Sequence, residues 1–440
     1  MLPVGLALVD QKVDRIVTIR RRPRKDFPRY VARRHRYGRV VRWDPALRSA
    51  AAFGLRWFDI QPATHRVSEK IQRFLLSRPD TPFLVLDLDL VAAKYNHLRA
   101  SFPLLSIHYA VKANPASEIL ALLASMGGCF DVASRCELDL CLSVGVPPSR
   151  LSFGNTIKKA TDIAYAYGQG VRQFVFDSEA EVRKLATHAP SAEVTCRFQA
   201  HCENAGWPLS RKFGCDPDMA VELLCLSHTL GLQAAGVSFH VGSQQTDPAQ
   251  WRMLLLQSAL LFARLAEARI TLDTVNLGGG FPVPYDEEVP PLSEYARAID
   301  QALDEAYGSS RPRLMLEPGR SLVGEAGMIQ TEVVLVSRKS NSEDRRWVYL
   351  DVGKFGGLAE TMDESIRYPL RTLRHGPCGP VILAGPKCDS VDILYEKHPY
   401  HLPLDLQCGD RIEILNAGAY TSSYSSVGFN GFSPLRTYCL

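Results

Sequence analysis

HYAVKANPASEILALLASMGGCFDVAS, residues 108–134, reads as an apolar strand, a helix and a second apolar strand. The runs HYAVKAN (108–114) and CFDVAS (129–134) are short and apolar, as strands covered on both faces are. Between them ASEILALLASM (116–126) repeats apolar residues at three- and four-residue spacing, the pattern of a helix with one buried face. The alternation continues through LSFGN (151–155), QFVFDS (173–178), VTCRFQ (194–199), GVSFHVGS (236–243), TVNLGGG (274–280) and RLMLEPG (313–319). Helical stretches such as AQWRMLLLQSALLFARLAEA (249–268) fill the gaps. Eight strand-then-helix units have the count of a (β/α)8 barrel, and a doubly wound open sheet rarely needs so many in succession. Lys112, Asp131, Asn155, Asp177, Arg197, His240, Gly278–Gly280 and Glu317 all stand at or just after the C-terminal ends of these runs. A barrel would bring those ends to one mouth, where residues two hundred positions apart can share a site.

Outward from the barrel, assigned to residues 81–327, the texture changes. TEVVLVSRKS, RRWVYLDVG, PVILAG and DRIEILNAG are β-like runs without long helices between them, so residues 328–440 read as a second, mostly β domain. Upstream lie a lead-in segment (51–80) and a basic arm (1–50) that holds 14 Lys/Arg against 4 Asp/Glu, leaving 37 against 43 for the remainder. Such a charge block reads first as a solvated, poorly ordered tail; an anionic or nucleic-acid patch and a transit peptide are the other readings. The arm is given no part in the chemistry. No run of eighteen apolar residues suggests a membrane span. The apolar opening MLPVGLALV lacks the basic segment and cleavage site of a secretory signal. Eleven scattered cysteines without CxxC pairing argue for reduced thiols in a cytoplasmic protein and against a zinc site.

Some of the mouth residues carry chemistry. Lys112 sits among Ala110, Val111 and Ala113, where a surface lysine fits badly, and burial lowers an amine's pKa toward the form that Schiff-base chemistry needs. VNLGGGFP (275–282) sets three glycines, Gly278, Gly279 and Gly280, directly after the seventh run. Bare backbone there lets N–H groups approach an anion, and phosphate sites of such barrels follow strands seven and eight. LEPGR (316–320) ends the eighth run with Gly319 and with Arg320 as a counter-charge. Glu317 reads either as a capping carboxylate or as the acid that keeps a pyridine nitrogen protonated. His240 reads either as a satisfied core imidazole or as a ring stacked on a flat cofactor, with Ser243 directed at phosphate. Together these residues specify pyridoxal 5′-phosphate (PLP) better than any one of them does.

The motifs resemble those of the fold-type III, alanine-racemase-like, PLP-dependent decarboxylases. YAVKANP, CFDVASRCEL, FGNTIKKATDI, FVFDSEAEV, RKFGC, GVSFHVGS, LGGGFP and LEPGR are similar to the family's barrel signatures. DVGKFGGLAETMDE (351–364), GPKCDSVDILY (385–395) and GAYTSSYSSVGFNGF (418–432) are similar to its C-terminal β domain. The resemblance covers about residues 80–440, with the bacterial type of ornithine decarboxylase nearest. It implies a TIM barrel followed by a β domain, with Lys112 carrying the cofactor as a Schiff base. Asp131 and Arg197 would line that region and Glu137 would support the lysine. His240 would stack on the ring and Glu317 would pair with its nitrogen. Ser243, Gly279, Gly280, Gly319, Arg320 and Tyr420 would hold the phosphate. It further implies a homodimer with shared sites, in which Cys388 and Asp389 enter from the second subunit. Cys388 would deliver a proton and Asp389 would bind the distal ammonium of a diamino acid, with Glu364 or else Asp363 as a second acid.

Substrate choice turns on Cys388-Asp389-Ser390. Diaminopimelate decarboxylases of the fold show Cys-Glu-Ser there and need a cation for a second carboxylate; acids suit a bare ammonium. The expected reaction is therefore decarboxylation of L-ornithine to putrescine, with L-lysine to cadaverine beside it. Arginine decarboxylases of the fold are expected to be much longer chains. Diaminopimelate decarboxylase and a non-catalytic regulator resembling an antizyme inhibitor are the alternatives.

Overall fold

The computed structural model describes residues 67–440 except 201, 203, 204 and 208–211, together with two short strands, Leu8–Val9 and Ile16–Val17, that pair antiparallel. Apart from those strands the basic arm lies outside the described residues. Eight parallel strands close a barrel: β1 Leu105–Ala110, β2 Cys129–Val132, β3 Leu151–Phe153, β4 Gln173–Phe176, β5 Glu193–Arg197, β6 Gln233–Ser238, β7 Thr274–Asn276 and β8 Arg313–Leu316. Neighbours in sequence are neighbours in space, and closure is made by β8 on β1, with Leu314 opposite Leu105. All eight runs read from the sequence are barrel strands. Their apolar residues are sealed from both sides: Phe130, Val132, Phe153, Phe176 and Val194 have almost no exposed surface. Outside them, helices such as Leu292–Tyr307 bury one face, here Tyr295, Ile299, Ala302 and Leu303.

The C-terminal sheet is built on the long strand Gly327–Ser337, which pairs antiparallel with Arg346–Leu350 and with Arg411–Ile414. Cys378–Ala384 lies parallel to Arg346–Leu350 and antiparallel to Ile393–Pro403. One element departs from the reading of residues 81–327 as barrel. Phe83–Leu86 pairs with the start of the long strand, Leu86 opposite Gly327, and with Arg436–Cys439 on its other edge. FLVL is buried at every position, so it needs a sheet neighbour on each side, and the barrel is already closed without it.

The two layers meet at the barrel mouth through the turn 416–420. Asn114 Nδ2 donates to the Gly418 carbonyl at 2.8 Å, and the Tyr420 N–H donates to the Ala113 carbonyl at 2.8 Å. A Cβ at Gly418 would sit 1.9 Å from the Val323 carbonyl oxygen, so only glycine lets the turn come this close. Tyr420 pays for its place with φ +53°, a left-handed backbone uncommon for a bulky residue. At the opposite, N-terminal end the barrel holds a cavity of about 250 Å³ among Ser106, His108, Ser152, Thr195 and Thr274, away from the residues singled out for chemistry. Among the described residues no helix is long and apolar enough to cross a membrane.

Candidate active site

Lys112 stands not on β1 but in the single 3-10 turn Val111–Ala113 that follows it, which lifts the side chain off the wall into the mouth. Its Nζ donates to Asp131 Oδ2 at 3.0 Å; the lysine side chain is 47% exposed and the aspartate 3%. The expectation that burial depresses this amine is reversed. Burial does oppose its charge, but Asp131, Tyr420 and Glu317 outweigh it and hold the pKa above the ordinary value. Asp131 keeps its other oxygen, Oδ1, buried without a hydrogen bond. Glu137 accepts the Ala133 N–H at 2.7 Å beneath this pair, and burial first of all raises its pKa.

Across the mouth, Glu317 directly follows β8. Burial and then Asp131 push its carboxyl up to about 7, against the pull of Lys112, Asn276 and Arg197. Asn276, the last residue of β7, donates from Nδ2 to Glu317 Oε1 at 2.5 Å and accepts the Gly278 N–H on Oδ1 at 2.9 Å. One buried amide therefore ties the carboxylate to the glycine loop. The sequence reading passed over Asn276; its signal is a polar residue ending an apolar run just before GGG. His240 accepts the Gly242 N–H on Nδ1 at 2.9 Å, which leaves the proton of the neutral ring on Nε2. Burial, then the charges of Arg197 and Lys112, hold its pKa well below the ordinary value. Arg197, last residue of β5, faces the ring of Phe213 at 5.0 Å.

The glycine loop is a cradle that side chains would fill. A Cβ on Gly278 would meet the Phe239 carbonyl oxygen at 2.4 Å, one on Gly279 the Glu317 carbonyl oxygen at 2.3 Å, and one on Gly280 that of Gly242 at 2.3 Å. Gly278 and Gly280 also take φ of +67° and +102°. Gly319 brings the next turn against Tyr420: its Cβ would lie 3.2 Å from the phenol oxygen. Arg320 is buried, 4.8 Å over the Tyr420 ring, and bonded to Ser243, Tyr285 and Glu360. The sequence reading passed over both Tyr285 and Glu360: Tyr285 lies outside the quoted motifs, and Glu360, inside DVGKFGGLAETMDE, gives no sign there that it meets Arg320.

The remaining expected residues lie elsewhere. Cys388 and Asp389 are exposed in the 385–392 loop of the β domain, where the Cys388 N–H donates to Asn430 and Asp389 accepts the Val391 N–H. Glu364 is not available as a free acid. Its carboxylate pairs with Arg367 and accepts the backbone N–H groups of Glu396, Lys397 and His398; against the burial that raises its pKa, those N–H groups and the His398 ring bring it below the ordinary value. Asp363 is exposed and pairs with Lys397 at 3.4 Å.

The mouth thus sets a lysine beside the buried acid Asp131, with a second acid, Glu317, tied through Asn276 to the glycine loop. Residues 88–324 fit the family model described as pyridoxal-dependent decarboxylase, pyridoxal binding domain. The chain belongs to the PLP-dependent decarboxylases. This decarboxylase is 36% identical to the lysine/ornithine decarboxylase of Selenomonas ruminantium over 368 residues, 83% of this chain and 91% of that one. It is 32% identical to antizyme inhibitor 2 of Xenopus laevis over 370 residues, 80% of each. Among solved structures, the lysine/ornithine decarboxylase of Vibrio vulnificus with cadaverine has a TM-score of 0.77 at 30% identity, covering 85% of this chain and 100% of that chain. The arginine decarboxylase of Paramecium bursaria Chlorella virus with agmatine has a TM-score of 0.78 at 27% identity, covering 84% of this decarboxylase and 99% of the viral chain. That coverage overturns the length argument: arginine decarboxylases of this fold need not be longer chains. PLP is the cofactor of this family, and the donor set here fits it. Asp131 Oδ2 holds the lysine while its Oδ1 is buried without a hydrogen bond, and Gly280 packs against Gly242, next to the Ser243 hydroxyl that Arg320 bonds.

Proposed function

We propose that this decarboxylase converts L-ornithine to putrescine and CO2, with L-lysine to cadaverine as a second reaction. The observation that carries the reading is the convergence of Lys112, Asp131, His240, Glu317, the glycine loop and Arg320 on one mouth. PLP, when bound, supplies a ring that accepts the electron pair left at Cα as the carboxylate departs. Lys112 would hold the cofactor through its aldehyde carbon. Asp131 holds the free lysine ammonium, and His240, a neutral imidazole, would lie against the cofactor ring. Glu317, fixed by Asn276, keeps the ring nitrogen protonated. Ser243, Gly279, Gly280, Gly319, Arg320 and Tyr420 receive the phosphate, while Arg197 sets a cation by the acids.

Asp389 of a second subunit would bind the distal ammonium at the far end of the substrate, and Cys388 of that subunit would give a proton to Cα at the reacting end. With Glu364 engaged by three backbone N–H groups, Asp389 carries the ammonium, and Asp363 is the second acid with surface to offer. An acid at position 389 favours a diamine end over the carboxylate of diaminopimelate. Release of CO2 from ornithine, lysine, arginine and diaminopimelate, measured side by side with added PLP, tests the proposal. Ornithine turning over fastest is expected; arginine or diaminopimelate leading would overturn the substrate assignment. The relation to antizyme inhibitor 2 keeps a non-catalytic reading in view, and bound PLP with no CO2 from any of the four would favour it.

A further inference from the structure

Arg320 makes an unusual set of bonds for a residue expected to face phosphate. Its two terminal nitrogens are forked by one carboxylate, Nη1 to Glu360 Oε2 at 2.7 Å and Nη2 to Glu360 Oε1 at 2.5 Å. Nη1 also donates to the Tyr285 hydroxyl at 2.9 Å. The other edge of the guanidinium, Nε and Nη2, points at Ser243 Oγ at 3.3 Å from each. A guanidinium has five N–H groups in a rigid plane. Glu360 and Tyr285 take three of them and thereby fix which edge is left. Ser243 accepts from that edge, so its own hydroxyl proton is free to be donated onward. Arg320 and Glu360 are both buried, 4% and 7% exposed, so water does not compete for this arrangement. Glu360 and Tyr285 come from different places, the first from the β domain after the strand Arg346–Leu350, the second from the segment following the glycine loop.

We propose that Glu360 and Tyr285 are positioning residues for the cofactor phosphate: they aim the Nε/Nη2 edge of Arg320, and through it the Ser243 hydroxyl, into the glycine cradle. The inference rests on the reading of that cradle as the phosphate site. It also runs against simple charge counting, because a carboxylate near a phosphate should weaken binding. Orientation outweighs that repulsion here, since the carboxylate's charge is spent on the guanidinium in a two-point contact.

Pyridoxal, which has the ring and aldehyde but no phosphate, separates the effects. Equilibrium dialysis of the holoenzyme against PLP and against pyridoxal gives the ratio of the two affinities. Glu360→Gln should weaken PLP by about tenfold and leave pyridoxal unchanged. Tyr285→Phe, which removes one acceptor with little change of shape, should lower the ratio about threefold, and the phosphorus-31 resonance of bound PLP should move in both. PLP bound as tightly or more tightly in Glu360→Gln, or PLP and pyridoxal weakened alike, overturns the positioning role. Should Glu360→Gln fail to fold, Tyr285→Phe decides: an unchanged ratio sinks the proposal. Arg320→Met separates this failure from failure of the cradle reading. An unchanged ratio there means that the phosphate lies elsewhere; a lowered ratio there, with both positioning variants unchanged, refutes only the present proposal.

Discussion

Two lysines near the barrel mouth show how little of a residue's chemistry its neighbours in sequence disclose. Lys158 is fully enclosed: Nζ donates to the carbonyls of Asn155 at 2.7 Å and Val175 at 2.6 Å and pairs with Glu181 at 3.1 Å. Burial, opposed by Glu181, pulls its pKa down to about 8. By pKa alone it is the better nucleophile, yet all three of its donors are committed and nothing can approach. Lys112 is more basic but half exposed, with a single acid beside it. Access therefore decides. Borohydride treatment of the holoenzyme should fix the cofactor on the Lys112 peptide, and Lys112→Ala should remove both label and visible absorbance; a label on Lys158 would refute the assignment. His108 carries a pH prediction. Burial lowers its pKa from 6.5 to about 4, with Asp131 resisting. As pH falls below 6.5 the unfolded chain takes a proton that the folded chain refuses until about 4, so stability is lost across that window. At pH 5 the cost is about 2 kcal/mol. His108→Gln should lose less stability than the parent between pH 7 and pH 5 in urea unfolding, and an equal loss would place the effect elsewhere.

At the scale of elements, the barrel was legible because each strand writes its own apolar run and each helix its own spacing. β1 through β8 needed no long-range information. The sheet strand Phe83–Leu86 did, since FLVL says that it is buried but not whether a barrel or a sandwich edge buries it. Glu364 misled for a related reason. An acid in a motif reads as a ligand for substrate, while its carboxylate here accepts three backbone N–H groups of the strand Ile393–Pro403, some thirty residues later, where the register against Cys378–Ala384 shifts. The loop 385–392 shows the same device. Asp392, 2% exposed, accepts the N–H groups of Lys354 at 2.7 Å and Lys387 at 3.0 Å. Gly353 and Gly385 press against it so closely that a Cβ on either would lie 2.2 Å from a carboxylate oxygen. This packing holds the base of the loop that presents Cys388 and Asp389. Asp392→Asn would turn an amide N–H toward one of those donors. It should cost about 1–3 kcal/mol of stability and lower kcat for ornithine while the PLP affinity of the barrel mouth stays unchanged. Equal loss of PLP binding and kcat would show that the loop is merely part of the general scaffold.

For the molecule as a whole, the chemistry is divided. The barrel mouth holds Lys112, Asp131, Glu317 and the glycine loop, but Cys388 and Asp389 stand exposed on the β domain, the Cys388 N–H bonded to Asn430 of a neighbouring loop and the Asp389 carboxylate to Val391 of its own. Those loops also expose apolar surface: Val391 is 56% and Val427 85% exposed, and Phe432 lies beneath the Lys387 ammonium at 3.5 Å. Apolar side chains beside reactive ones are what a two-fold interface would cover, since such an interface presents the same patch from both sides. A second copy would bring its Asp389 to the first copy's Lys112, and the reverse. Subunit mixing tests this. Lys112→Ala and Asp389→Ala dimers should each be inactive. In a mixed dimer one mouth has lost both residues and the other has kept both. Random exchange of equal amounts makes half of the dimers mixed, and half of the mouths in those are intact. About a quarter of the parent activity should return, and it should rise with the rate at which subunits exchange. If exchange is demonstrated by a mass-labelled subunit and no activity appears, each chain owns its site and the exposed Cys388-Asp389 loop must reach its own barrel.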